Sequence, residues 1–104
     1  MAADDRVVRM AEIEVHPDQA EAYSALLKEE IEASIADEPG VLMLHAVSLN
    51  GRPERICILE VYASQRDYEA HLQTPHFLKY KTLTAGMVKS LALAEADPVA
   101  MCAK

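Results

Sequence analysis

Tryptophan is absent from this sequence, phenylalanine occurs once, and glycine occurs only three times, at Gly40, Gly51 and Gly86, each in a turn-like setting. With so little glycine there is no GxGxxG loop, no Walker loop and no other phosphate cradle, so nucleotide and flavin cofactors have no written site. Basic residues are also scarce, ten against seventeen acidic ones, for a net charge of -7. Binding to nucleic acid needs clustered Lys and Arg to neutralise phosphates, and that class is excluded. No run of 18 apolar residues occurs, and Met1-Ala2-Ala3-Asp4-Asp5 lacks the basic and apolar regions of a signal peptide. A cytoplasmic protein with no membrane association is therefore expected. The two cysteines, Cys57 and Cys102, form no CxxC pair. Cys57 lies in an apolar run and reads as a small core residue, while Cys102 belongs to the tail.

What is present is an ordinary globular composition, 51% hydrophobic and 26% charged, in 104 residues. That length leaves no room for a second core, so a single domain over residues 1–104 is expected, with its core at about 6–96 and a short C-terminal tail. Arg6 to Val15 alternates as a strand, with Val7, Ala11, Ile13 and Val15 on one face. Pro17 suits a first helical turn, and Ala20, Tyr23, Leu27, Ile31 and Ile35 follow at helical spacing until Pro39-Gly40 ends the helix. Residues 41–49 and 56–62 read as two strands joined at Asn50-Gly51-Arg52-Pro53, an antiparallel hairpin. Ser64 and Thr74 are N-caps for two short helices, the second with Pro75 in its first position. Gly86 ends that helix, and residues 87–94 supply a last strand before Asp97-Pro98 opens the tail. The order β-α-β-β-α-α-β predicts an α+β, ferredoxin-like fold: a four-stranded antiparallel sheet with helices on one face.

Strand two is apolar on both parities, with Val41, Met43, Val47 and Leu49 on one and Leu42, Leu44 and Ala46 on the other. Helices cover only one face, so the second needs another surface. A homodimer through the sheet face is the simplest answer, and the alternative is a tail that folds back over the sheet.

Glu60 interrupts an otherwise buried strand, and a buried carboxylate must be paired or hydrogen-bonded. It shares a parity with Ile56, Ile58 and Tyr62, and if the hairpin pairs odd residues with even ones, His45 joins that face as well. Glu60 then either orients a histidine or tunes its pKa, or it forms a structural ion pair or stands at an edge position open to water. His71 falls three residues after Tyr68 on the inward side of its helix, and His76 lies in the first turn after Pro75, where free backbone N–H groups favour an anion. Either histidine is a candidate base, or else simply packs or caps. A metal set of His71, His76 and Glu60 lacks the HExxH or i,i+4 signature, and no metal is expected.

The first strand and helix, Glu38-Pro39-Gly40-Val41-Leu42, Leu59-Glu60-Val61-Tyr62 and above all Glu69-Ala70-His71-Leu72-Gln73-Thr74-Pro75-His76-Phe77 resemble the antibiotic biosynthesis monooxygenase (ABM) family over about residues 6–96. The last stretch is similar to its quinol monooxygenase-like branch. The resemblance implies a dimeric α/β barrel with a pocket between sheet and helices in each subunit. It implies O2-dependent oxidation of a small phenolic or quinol substrate with neither metal nor flavin. The haem-degrading branch relies on a tryptophan, which this chain lacks. In that setting His71 is the expected base or anion clamp, Glu60 its orienter, His76 a donor to a developing oxyanion, and Tyr68, Phe77, Tyr62 and His45 the substrate-binding wall. Two other readings use the same pocket: an isomerase of a small phosphorylated carbonyl compound, and a non-catalytic ligand-binding stress module.

Overall fold

The computed structural model describes residues 4–104. Strand β1 spans Val7–Val15, and a 3-10 turn at Pro17–Gln19 leads into helix α1, Ala20–Asp37. Strands β2 (Val41–Leu49) and β3 (Arg52–Tyr62) form the hairpin, helices α2 (Gln65–His71) and α3 (Pro75–Thr84) follow, and β4 (Val88–Ala96) closes the sheet. All neighbours are antiparallel in the order β2-β3-β1-β4. This is the expected α+β ferredoxin-like arrangement.

Local chemistry accounts for the element ends. Gly51 takes a φ of 74° in a two-residue turn that pairs Leu49 with Arg52, so β3 starts four residues earlier than the apolar pattern predicted. Pro53 has no N–H for the ladder, and it sits just beyond the register irregularity between Ser48 and Leu49. In α2 the Ser64 hydroxyl accepts from Asp67 N at 3.2 Å and donates to the Asp67 carboxylate at 2.7 Å. In α3 the Thr74 side chain accepts from Phe77 N at 3.3 Å while donating to His71 O at 2.8 Å, which ties the two short helices together.

The inner face of the sheet carries Ala11, Ile13, Val15, Ile56 and Ile58, packed against Ala20, Tyr23 and Leu27 of α1. A smaller cluster joins Val41, Leu44 and Tyr62. Along α1 the buried residues are Ala20, Tyr23, Leu27, Glu30 and Ser34, whereas Ile35 is half exposed. The helix therefore turns a carboxylate and a hydroxyl inward beside Ile31, which packs against the core as expected, while Ile35 does not.

The outer face of the sheet is open in part, with Val8 and Val61 on it buried. Met10, Val47 and Leu49 on that face are 46%, 62% and 46% exposed, and Val99 in the tail is fully exposed. Among the described residues no helix is long and apolar enough to cross a membrane.

A Cβ on Gly40 would overlap the Asp67 side chain that closes the α2 cap. Gly40→Ala should lower stability by about 1–3 kcal/mol, as overpacking does, with a lower urea midpoint and an unchanged slope. An unchanged midpoint would show that the cap yields freely.

Candidate active site

Between the inner sheet face and helices α2 and α3 lies a cavity of about 330 Å³. Glu60, Tyr62, Tyr68, His71 and Phe77 all line it, so five of the seven side chains singled out in the sequence share one space. Arg9, Glu30, Leu72 and Tyr80 line it as well.

His71 is the last residue of α2 and is only 2% exposed. Its ring packs against Phe77 and Tyr62, with centroids 4.9 and 5.3 Å away. Nδ1 lies 3.0 and 3.2 Å from the two carboxylate oxygens of Glu38. Nε2 lies 3.4 Å from Oε1 of Glu30, and Ser34 Oγ donates to that same oxygen at 2.8 Å. Glu38 Oε2 also lies 2.6 Å from His76 Nε2. Glu38 is the C-cap of α1 and precedes Pro39, which holds its backbone extended and ends the helix where α2 meets α3. One carboxylate thus fastens both histidines.

Three expectations need correction. Glu60 does not orient His71; it accepts the phenolic hydrogen bond of Tyr62 at 2.7 Å, and Glu38 takes the orienting part. His76 does not line the cavity but stands behind Glu38, so it is no donor to an oxyanion there. His45 lies on the outer face, because the register shift between Val41 and Met43 at Leu42 changes odd-even pairing into odd-odd pairing and sets His45 opposite Leu59.

Sequence reasoning missed Glu30, Ser34, Glu38 and Arg9. The guanidinium of Arg9 stacks 4.7 Å from the Tyr68 ring centroid and bonds Glu95 at 3.1 Å, so it holds that aromatic wall in place. Tyr23, in the first turn of α1, and Tyr80 share a hydroxyl–hydroxyl hydrogen bond.

Electrostatics divide the buried Glu30 from the half-buried Glu38. Burial pushes the Glu30 carboxyl above its ordinary range, more than Ser34 and the histidines pull it down. Burial pushes Glu38 up too, but hydrogen bonds from His76 and His71 outweigh it and the net direction is down. Burial, followed by the adjacent Glu60 charge, drives the Tyr62 phenol upward, so it stays a hydrogen-bond donor.

The profile of the antibiotic biosynthesis monooxygenase family matches residues 6–83. The chain belongs to that family. Among solved structures, this ABM protein is similar to a candidate antibiotic biosynthesis monooxygenase from Bacteroides thetaiotaomicron, with 46% identity, a TM-score of 0.93 and coverage of 99% of this chain and 98% of that one. It is also similar to a candidate monooxygenase from Lactobacillus acidophilus at 35% identity and TM-score 0.86, covering 90% of this chain and 45% of that longer one. A Nitrosomonas europaea protein, 22% identical with TM-score 0.85 over 95% of both chains, shares the fold. No curated protein matches the chain.

Because Glu38 titrates below its ordinary value in the folded ABM domain, its contribution is present above the unfolded value of 4.5 and fades as pH falls through the lower folded value. Glu38→Gln should cost about 1.5–3 kcal/mol at pH 7, the worth of a charge-assisted hydrogen bond. The gap from the unsubstituted protein should narrow as urea unfolding is repeated toward pH 3. A gap that stays constant with pH would remove the carboxylate from this role.

Proposed function

We propose that this protein is a monooxygenase that uses O2 to oxidise a small phenolic or quinol-type substrate, as in the quinol monooxygenase-like branch of its family, with His71 as the base. The observation that carries the reading is His71 itself, a buried cavity-lining imidazole whose Nδ1 is anchored by Glu38 at 3.0 Å. With the Nδ1 proton directed at Glu38, the Nε2 lone pair is the one that accepts a proton. The carboxylate orients the ring and stabilises the imidazolium that forms.

The chemistry needs little more than a base, orientation and a dry space. His71 takes the phenolic proton, and the phenolate passes one electron to O2. The resulting aryloxyl and superoxide radicals combine at a ring carbon ortho or para to that oxygen that carries hydrogen, the ortho carbon in a hydroquinone, to form a C–O bond. Cleavage of the O–O bond then leaves a carbonyl on that carbon and releases the other oxygen as water. Phenol plus O2 gives quinone plus water, so atoms and electrons balance without an external reductant. Tyr62, Tyr68 and Phe77 supply aromatic walls for a flat ring, and the Tyr62–Glu60 pair supplies polar groups beside it. The resemblance of residues 69–77 to quinol-oxidising relatives supports the substrate class.

An oxygen electrode with a panel of hydroquinones tests this directly. His71→Ala should lower oxygen uptake by about 10²–10⁴-fold, the usual worth of a positioned base, and His45→Ala on the outer face should leave it unchanged. Substrate conversion without O2 uptake would instead point to proton-shuttle isomerisation, and equal rates for His71→Ala and the parent would remove His71 from the chemistry.

We also propose that two copies pair through the outer sheet face, whose exposed Met10, Val47 and Leu49 form an apolar surface with half-buried Met43, Cys57 and Leu59 beside it. Val47→Glu should shift the sedimenting species from dimer to monomer. A parent protein that sediments as a monomer at micromolar concentration would overturn the pairing.

A further inference from the structure

We propose that Glu30, His71 and His76 form a binding site for one divalent transition-metal ion of the zinc class. Glu30 comes from the middle of α1, His71 from the end of α2 and His76 from the first turn of α3. One ligand atom from each lies within 4.8 Å of the others. Two imidazoles and a carboxylate are the donor set that zinc, cobalt and ferrous iron accept.

The orientation of His71 carries the argument. Glu38 lies 3.0 Å from Nδ1 and Glu30 Oε1 lies 3.4 Å from Nε2, so the ring stands between two carboxylates with one nitrogen facing each. With Nδ1 protonated toward Glu38, Nε2 and Glu30 Oε1 can share a positive centre, a proton or a metal ion, between them. Two ligands at 2.0–2.1 Å on a tetrahedral zinc ion stand about 3.4 Å apart. The remainder of the surroundings is also that of a metal site. A carboxylate behind a ligating histidine fixes its tautomer and raises its basicity, and Glu38 stands in that place. Ser34 fixes the Glu30 carboxylate through a 2.8 Å hydrogen bond. His76 is the least buried of the three; its Nε2 lies 2.6 Å from Glu38, and to ligate the ion its ring would turn from that carboxylate. Two carboxylates, Glu30 and Glu38, are gathered around the two histidines, and a divalent cation balances them.

The site goes beyond the oxygenase reading and does not depend on it. The two uses of Nε2 exclude each other, because an ion on that lone pair leaves nothing to accept a phenolic proton.

The test is a titration of the chelator-treated full-length protein with Co2+, followed by visible spectroscopy, and with Zn2+, followed by calorimetry. The expected result is one ion per chain, with the d–d bands of tetrahedral Co2+. Glu30→Gln and His76→Ala should each weaken binding at least tenfold, and Glu38→Gln by about 10- to 100-fold, the effect of losing a carboxylate behind a ligand. His45→Ala should not change it. His76 is partly exposed, so its alanine variant is expected to stay folded, and circular dichroism checks that it does. Absence of both bands and heat would mean that the positive centre at Nε2 is a proton. Binding that persists in Glu30→Gln and His76→Ala would place the ion elsewhere, and either result overturns the proposal. Neither outcome bears on whether the metal-free protein consumes O2.

Discussion

The Glu38 carboxylate, shared between Nδ1 of His71 and Nε2 of His76, is the contact on which the rest of the site depends. Remove it and two buried or half-buried imidazoles lose their partner, the tautomer of His71 is no longer fixed, and the junction of three helices loses its polar anchor. Its position follows from the chain. Pro39 denies Glu38 a helical backbone, so α1 stops there and its last carboxylate faces the turn between α2 and α3. Thr74 holds that turn from the other side by donating to His71 O. Helix ending, helix capping and histidine placement are thus one connected arrangement.

Much of the fold was legible because it follows from periodicity and turn chemistry. The alternation of Val7, Ala11, Ile13 and Val15 marked the face that now meets α1, Asn50-Gly51 marked the hairpin, and Ser64 and Thr74 marked helix starts that the structure keeps. The cavity was legible in part, since Glu60, Tyr62, Tyr68, His71 and Phe77 do converge. The rest was hidden for physical reasons. In α1 the spacing 20-23-27-30-34 is as regular as 20-23-27-31-35, but the first ends in Glu and Ser, and an apolar search follows the second. Glu38 reads as a residue before a helix-breaking proline, and nothing local says that two histidines more than thirty positions away will meet it. His45 was misplaced by one irregularity at Leu42, which no propensity reveals.

Burying Glu30 and Ser34 in the core stripe of α1 has an energetic cost that two isoleucines there would avoid. Sequences depart from the apolar pattern in this way where a site must be built, and the departure coincides with the histidines. The same residues explain why the two proposals share a foundation. A histidine fixed by one carboxylate and facing another can accept a proton or bind an ion, and substrate, pH and metal supply decide between them. The aromatic walls and the stacked Arg9 belong to neither choice; they set what fits in the cavity.

The central claim is that Glu38 holds the His71 ring with its proton on Nδ1 and its lone pair on Nε2. Nitrogen-15 NMR of the metal-free protein, with His71 assigned by substitution and recorded where the ring is neutral, reads that directly. The account predicts a protonated, amine-like shift at Nδ1 and an unprotonated, imine-like shift at Nε2, and loss of that preference in Glu38→Gln. A proton found on Nε2 in the parent protein would contradict it.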